Sequence, residues 1–353
     1  MTFRLRSFAI AAALGSMVPC SAGQEISTGT GGRYDYTAKL AFSRDGRTLR
    51  EFREVSSEDG NQFARVHATT YDLPTGAVSH LWKLQPYTRF YSATTDGRKA
   101  IIVVGTDTLH PEGHWHLVLL DAETGRSEDI PAEWSDDAPY REATISGDGQ
   151  LIGTYLEAPA GDTPMVVRLY DWRSKRLIAT QMSELISAGG LFGGGVTEDG
   201  KIEFLNNRTG SKIVDPKTGR LLIEFGPNAV RSPDGKWVVE LAGHLHGRDR
   251  EETTVIDGVS GKTRGKLDLE FSDTVNLTWS GVFCGTTGRF IAWNPVSAIV
   301  FNIPSLKQIA TIPADSWRDP QPGINPIMSV ACSRNGKRVA IRSGGRLTLH
   351  SLD

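Results

Sequence analysis

The chain has 353 residues, of which 39% are hydrophobic and 23% are charged, a composition typical of a soluble globular protein with a substantial core. Its formal charge of −2 lacks the basic excess that a general nucleic-acid binder or a binder of anionic membranes needs. The 38 glycines indicate many turns between short strands.

The N-terminus has the features of a secretory signal peptide. Two arginines precede an apolar run at 8–18 that is too short to span a bilayer, and small residues follow it. We therefore expect residues 1–23 to be a signal peptide that is cleaved after Ala22 or Gly23. The remaining chain, 24–353, is expected to be a single exported domain, periplasmic or secreted.

Two further features refine this expectation. Cys20 is not expected to carry a lipid, because Pro19 stands where a small residue is needed before a lipidated cysteine. No later stretch reaches the roughly 20 apolar residues of a membrane-spanning helix, so no membrane span is expected.

A short turn motif recurs along the rest of the chain. Its Asp or Asn tolerates turn geometry and its Gly supplies a positive φ, so each copy predicts the turn of a β-hairpin. The copies begin at Ser43, Thr94, Ser146, Thr197, Ser232, Gly285 and Ser333.

A second motif alternates with the first and consists of an apolar strand ending in Asp, then turn residues and usually Gly. The Asp side chain accepts backbone N–H bonds at the start of such a turn. Successive copies lie roughly 42 to 50 residues apart, a period typical of blades, solenoids or arrays. The copies are centred on Asp72, Asp121, Asp171, Asp215, Asp257 and Asn302.

The two motifs together define a repeat of four short antiparallel strands, A to D. Seven such repeats predict an all-β fold, a seven-bladed β-propeller with four antiparallel strands per blade. The last repeat stops after its third strand. We therefore expect the N-terminal segment 25–33 to supply the missing outer strand of blade seven and to close the ring.

These repeats resemble the WD-repeat-like and amine-dehydrogenase-like (YVTN- and Tol-type) propellers of bacteria, including the periplasmic propeller of the Tol–Pal system. The segments that carry the resemblance are Ser232-Pro-Asp-Gly-Lys and Val214-Asp-Pro-Lys-Thr-Gly. The chain departs from the eukaryotic WD repeat, because it lacks a Gly-His and Trp-Asp pair in each blade. The resemblance implies an architecture rather than an activity, since propellers host unrelated functions.

Two cysteines, Cys284 and Cys332, remain after the signal peptide. Both lie four residues before a turn glycine of neighbouring repeats. Equivalent positions of a repeating structure point the same way, so we expect two buried free thiols rather than a disulfide.

Loop lengths distinguish the two faces of the predicted ring. The A–B and C–D turns are short and form one face, which we call the turn face. The B–C and D–A connections form the other, the loop face, and carry all the length variation. Ligands and partners are therefore expected on the loop face or at its channel mouth.

Histidines in the B–C loop of blade two form a candidate metal site. His114 and His116 are two residues apart in a strand, so they point to one side and can share a metal, and Glu112 or His110 can add a third ligand. The alternative, which we favour, is a polar loop with incidental histidines.

Arginines and aromatic residues at the loop-face channel mouth form a candidate ligand site. Two of the arginines open the inner strands of adjacent blades, where they can hold a carboxylate or phosphate in fork geometry. Internal ion pairing with nearby acids is the alternative. The candidate residues are Tyr87, Arg89, Tyr140, Arg141, Trp317 and Arg318.

The sequence contains no nucleophile elbow, zinc-protease motif, phosphate-binding loop or haem-attachment motif. We therefore expect a non-enzymatic binding scaffold without a cofactor, whose partner is a protein, peptide or envelope polymer rather than a nucleic acid. The alternative is a propeller enzyme, either a lactonase-like hydrolase or a quinoprotein-type oxidoreductase. A lactonase needs acidic and Asn ligands, for which Glu142, Asn228 and Asn276 are the candidates. The sequence leaves the oligomeric state open.

Overall fold

The strands that the structure describes form seven four-stranded antiparallel sheets and one two-stranded hairpin. The arrangement confirms the predicted all-β, seven-bladed propeller. Within the described part of the chain no helix is long and apolar enough to cross a membrane. The computed structural model describes residues 24–26, 36–55, 65–85, 87–105, 116–131, 142–156, 165–183, 192–206, 210–245, 248–250, 252–269, 279–313, 327–343 and 346–352. The predicted signal peptide, 1–23, lies outside the described residues.

The first four blades follow one another along the chain, each with its strands in the order A to D. Strand β1 (Gln24–Ile26) precedes them. Blade one consists of β2 (Tyr36–Phe42), β3 (Thr48–Val55), β4 (Arg65–Asp72) and β5 (Ala77–Lys83). Blade two consists of β6 (Thr88–Ala93), β7 (Lys99–Val104), β8 (His116–Asp121) and β9 (Ser127–Asp129). Blade three consists of β10 (Glu142–Ile145), β11 (Leu151–Leu156), β12 (Met165–Asp171) and β13 (Arg176–Ser183). Blade four consists of β14 (Phe192–Val196), β15 (Ile202–Asn206), β16 (Gly210–Val214) and β17 (Leu221–Phe225).

The last three blades include an inserted hairpin and the ring closure. Blade five consists of β18 (Ala229–Arg231), β19 (Trp237–Glu240), β22 (Thr253–Asp257) and β23 (Thr263–Leu267), with the hairpin β20 (Gly243–Leu245) and β21 (Arg248–Arg250) between its second and third strands. Blade six consists of β24 (Ser280–Phe283), β25 (Arg289–Asn294), β26 (Ser297–Asn302) and β27 (Lys307–Pro313). Blade seven consists of β28 (Ile327–Cys332), β29 (Arg338–Ser343), β30 (Arg346–Ser351) and β1.

The hydrophobic core lies between the blades. Second strands such as β7 are rich in β-branched residues and buried over nearly their whole length, as expected for strands covered on both faces. Outer strands such as β5 are mostly exposed. The buried side chains of the described residues form seven clusters, one for each interface between neighbouring blades. Each blade therefore buries apolar surface against both of its neighbours.

Side-chain hydrogen bonds hold the A–B turns. In blade one the Ser43 hydroxyl donates to Asp45 Oδ1 over 2.6 Å, and Arg47 N–H donates to the same oxygen over 3.0 Å. The Thr48 N–H donates in turn to Ser43 Oγ over 2.9 Å. The hydroxyl-to-Asp or hydroxyl-to-Asn bond recurs in every blade except blade six. The repeated Ser/Thr and Asp therefore serve the turn itself.

The N-terminal strand closes the ring, as predicted. Strand β1 pairs antiparallel with β30, and Ile26 stands opposite Leu347. The Ile26 side chain is 2% exposed and packs with Leu40 of blade one and with Leu347 of blade seven. The strand begins one residue earlier than the predicted segment 25–33, of which 27–33 lies outside the described residues.

A buried ion pair also joins blade seven to blade one. Arg342 Nε lies 3.3 Å from Glu51 Oε1, and the two side chains are only 2% and 1% exposed. The Tyr71 hydroxyl donates to Glu51 Oε2 over 2.8 Å. Burial and the nearby Glu51 carboxylate raise the pKa of Tyr71 well above its ordinary value. Since a buried charge that loses its partner is strongly destabilising, these three groups depend on one another.

The prediction of two free thiols is wrong, because Cys284 and Cys332 form a disulfide with their Cα atoms 4.9 Å apart. The blade-six turn is displaced by one residue relative to its glycine. Cys284 N–H donates to Arg289 O just as Ser333 N–H donates to Arg338 O in blade seven. Cys284 therefore occupies the serine position, and Cys332 the position before it. Successive strand side chains point to opposite faces, so the two thiols face one another across the interface.

Candidate functional site

Two of the predicted ligand-site residues lie in the described part of the loop face. Arg89 is the second residue of β6 and is exposed, and its side chain has no hydrogen bond or ion pair to a described residue. Tyr87 is half-buried, with a φ of 66°, and its carbonyl accepts from Gly105 N–H over 2.9 Å. The other four candidates, Tyr140, Arg141, Trp317 and Arg318, lie outside the described residues, so the six-residue site stays a prediction.

The candidate metal site is described only at His116. This histidine is the exposed first residue of β8, and its Nε2 lies 3.7 Å from Asp129 Oδ1. His110 and His114 lie outside the described residues. Among the residues that the structure describes, no group of three or more His, Cys, Asp and Glu is placed to hold a metal.

The residues that a lactonase needs are described only at Asn228. Its Nδ2 donates to the backbone oxygen of Trp279 over 3.3 Å, so the amide ties blade five to blade six. The side chain of Glu142 and all of Asn276 fall outside the described part of the structure. The one described candidate therefore has a packing role.

A cavity of about 230 Å³ lies on the ring axis at the turn face, where sequence reasoning did not place a site. All seven A–B turns line it. Every turn contributes to the lining the residue that follows its Ser or Thr, a position preceded by Cys284 in blade six. We call this the turn-face cavity, and its rim residues in blade order are Arg44, Thr95, Gly147, Glu198, Pro233, Gly285 and Arg334.

The turn geometry explains why the type of residue at this axis-facing position varies from blade to blade. The Ser or Thr before this position donates a hydrogen bond to the Asp or Asn after it, and the Gly supplies the positive φ. The second residue has no part in holding the turn, so its side chain is free to vary from blade to blade. The sequence contained this signal as the one unconserved column of an otherwise regular turn motif.

Charge is unevenly distributed around the rim. Blades seven and one contribute Arg334 and Arg44, both exposed, and blade one adds the half-buried Lys39 to the wall. Blades two to four contribute acidic residues, which are Asp96, Asp148 and Glu198. The rim therefore has a cationic arc over blades seven and one and an acidic arc over blades two, three and four.

The acidic side chains of this region differ in whether they are already hydrogen-bonded within the protein. Asp199, beside Glu198, is bound in fork geometry by Arg231, with contacts of 2.6 and 3.0 Å. Burial raises the pKa of Asp199, but hydrogen bonds from Arg231 and Thr197 outweigh it and leave the pKa below its ordinary value. Asp199 therefore forms an ion pair that joins blade four to blade five. The exposed Glu198 side chain has no hydrogen bond to the described part of the chain.

Two glycines of the rim stand where neighbouring turns approach each other closely. A Cβ at Gly147 would lie 2.5 Å from Thr95 Oγ1, and Gly147 N–H donates to Glu198 O over 3.1 Å. A Cβ at Gly285 would lie 2.7 Å from the backbone oxygen of Arg334. Neighbouring turns therefore approach too closely at these two points for a larger residue.

No protein-family model matches the sequence, and no curated protein matches it either. The fold defines the class of protein, which is a seven-bladed β-propeller scaffold. The finer resemblance to bacterial WD-repeat-like and amine-dehydrogenase-like propellers stays a prediction from the repeat motifs.

Proposed function

We propose that the protein is an exported, non-enzymatic scaffold that binds a protein, peptide or envelope polymer through its loop face. The observation that carries the proposal is the contrast between the faces. The A–B turns are short and are held by their own side chains, whereas the B–C connections range from 295–296 in blade six to 241–252 in blade five. Variable connections on a rigid scaffold are where binding residues concentrate.

Blade five gives this contrast its clearest form. Its B–C connection contains the paired strands β20 and β21, so the insertion has backbone order of its own. Arg89 and Lys83 at the same face are exposed. An ordered insertion and exposed cations together supply both shape and charge for a partner.

A scaffold also agrees better with the described inner strands than the alternative enzyme does. Asn228 is hydrogen-bonded to the backbone of Trp279, and the sequence has no catalytic motif. No described residue favours the lactonase or the quinoprotein, so the scaffold is the proposal that we retain.

Site-specific photo-crosslinking in the host cell tests the proposal. A photo-reactive amino acid is placed at Lys83 or Arg89 on the loop face, and at Glu123 or Lys217 on the turn face as matched exposed controls. We expect a discrete crosslinked partner from the loop-face positions only, and an exported protein whose N-terminus, read by mass spectrometry, follows Ala22 or Gly23. Equal crosslinking from both faces, or from neither, contradicts loop-face binding, and an intact N-terminus contradicts export by signal cleavage.

A further inference from the structure

The turn-face cavity is lined by three cations, Arg334, Arg44 and Lys39, on one arc and by acids on the adjoining arc of blades two to four. Arg334 and Arg44 belong to blades seven and one, which are neighbours in the closed ring. Neither guanidinium has a hydrogen bond or an ion pair to the residues that the structure describes. Like charges on neighbouring blades repel each other, and an anion bound between them removes that repulsion. Guanidinium groups hold a carboxylate in fork geometry, so the cationic arc is suited to a carboxylate.

The acidic arc makes a purely anionic ligand unfavourable. Asp96 and Asp148 each accept bonds from their own turns through Oδ1, but neither carboxylate is ion-paired within the described residues. Glu198 has no side-chain bond there at all. A ligand whose far end is negative would meet these carboxylates, whereas an ammonium group would be stabilised by them.

The cavity volume restricts the size of the ligand. About 230 Å³ lies below the roughly 300–1,000 Å³ of typical drug-sized ligand pockets. Gly147 and Gly285 provide the space, since larger residues at these positions would meet the neighbouring turns. The site therefore fits a compact ligand better than an extended polymer.

We propose that the turn-face cavity binds a small zwitterion, an amino acid or a short peptide. Its carboxylate contacts Arg44 and Arg334, and its ammonium group contacts the acidic arc with Glu198 as the principal partner. This site is separate from the loop face and does not depend on the scaffold function proposed above.

Calorimetric titration of the purified full-length mature protein tests the proposal. The probes are glycine, glycylglycine and triglycine, which carry both charges at increasing separation. Matched controls are N-acetylglycine, which lacks the ammonium group, and glycinamide, which lacks the carboxylate. We expect at least one zwitterion to bind about tenfold more tightly than either singly charged control, as the loss of one charged hydrogen bond implies. Preference for glycine indicates a free amino acid as the ligand, and preference for the longer probes indicates a peptide.

Substitutions test which charged residues of the rim contact each end of the ligand. Arg44→Gln and Arg334→Gln are each expected to weaken zwitterion binding about tenfold, and Glu198→Gln likewise. Arg47→Gln is the matched control, because Arg47 is exposed in the same turn as Arg44 and does not line the cavity. An unchanged melting temperature in each variant shows that the fold is intact.

Three results would overturn the proposal. The first is no measurable binding of any zwitterion up to about 10 mM, well above the roughly 1 mM constant of a weak specific ligand. The second is equal binding of the zwitterions and their singly charged controls. The third is a loss of affinity in Arg47→Gln that matches the loss in Arg44→Gln.

Discussion

Single residues decide how closely the turns of neighbouring blades approach each other. Gly285 has a φ of 54° in the blade-six turn, and its Cα faces the backbone of Arg334 in blade seven. Gly46 holds the turn-glycine position in blade one, with a φ of 70°, but a Cβ there would meet nothing within 4 Å. The two glycines thus share a left-handed backbone and differ in their surroundings.

This difference gives a prediction with a built-in control. Gly285→Ala and Gly46→Ala each force alanine into the left-handed region, at a cost of about 1–2 kcal/mol. Gly285→Ala also drives a methyl group into the Arg334 backbone and should lose about 1–3 kcal/mol more, the usual cost of overpacking. The measurement is the free energy of unfolding from denaturant titration of both variants. Equal losses would show that blades six and seven are not tightly packed at this point.

The cysteines show what residue-level pattern matching cannot supply. Blade six contains glycines at both Gly285 and Gly288, so counting back from the second placed Cys284 one position too early in the turn. The backbone hydrogen bonds place it at the serine position. A one-residue displacement reverses the face to which a strand side chain points. The two thiols therefore face each other and form a disulfide, whereas the sequence pattern predicts that they point the same way.

At the scale of elements, the sequence predicts strands and turns well because both are fixed locally. The A–B turns carry their own hydrogen-bonding side chains, and the strands between them are short and apolar. Strand β1 is the exception, because its three residues have no local turn to define them. Its place followed from topology, since a blade with three strands needs a fourth, and topology does not set the first residue of the strand.

Strand β1 contributes to stability through the buried side chain of Ile26. We expect Ile26→Ala to lower the free energy of unfolding by about 2–4 kcal/mol, because Ile26 is 2% exposed and packs against both blade one and blade seven. Val259→Ala is the control, since Val259 is 79% exposed and should change stability by less than about 0.5 kcal/mol. Denaturant titration measures both. A similar, small effect of both substitutions would mean that the ring does not rely on β1 for its closure.

At the scale of the whole molecule, the sequence predicts only part of the turn-face cavity. The number of blades and the division into two faces follow from the period and topology of the repeat. The ring order of Arg334, Arg44 and Glu198 follows too, once the ring is closed. The sequence does not show how far the seven turns converge on the axis, since that distance depends on packing between blades. The sequence therefore does not indicate the short turns as binding elements.

Blade seven contains both strands at the ring closure, and different interactions join it to its two neighbouring blades. Toward blade one it has strand β1 and the buried pair of Arg342 and Glu51. Toward blade six it has the disulfide. Ring opening between blades seven and one would separate the two arginines of the cationic arc from each other, because Arg334 belongs to blade seven and Arg44 to blade one.

The disulfide should therefore contribute to the stability of the ring as a whole. It joins residues 48 apart in sequence, and a loop of that length corresponds to about 4 kcal/mol of lost chain entropy in the unfolded state. We expect the double variant Cys284→Ala, Cys332→Ala to unfold at a lower denaturant concentration than the oxidised protein, with a free energy of unfolding lower by about 2–4 kcal/mol. Reductant should move the oxidised protein toward the variant and leave the variant itself unchanged, which separates loss of the covalent bond from general effects of the reductant. If the oxidised protein and the double variant share one denaturation midpoint, the packing and ion pair alone hold blade seven in place.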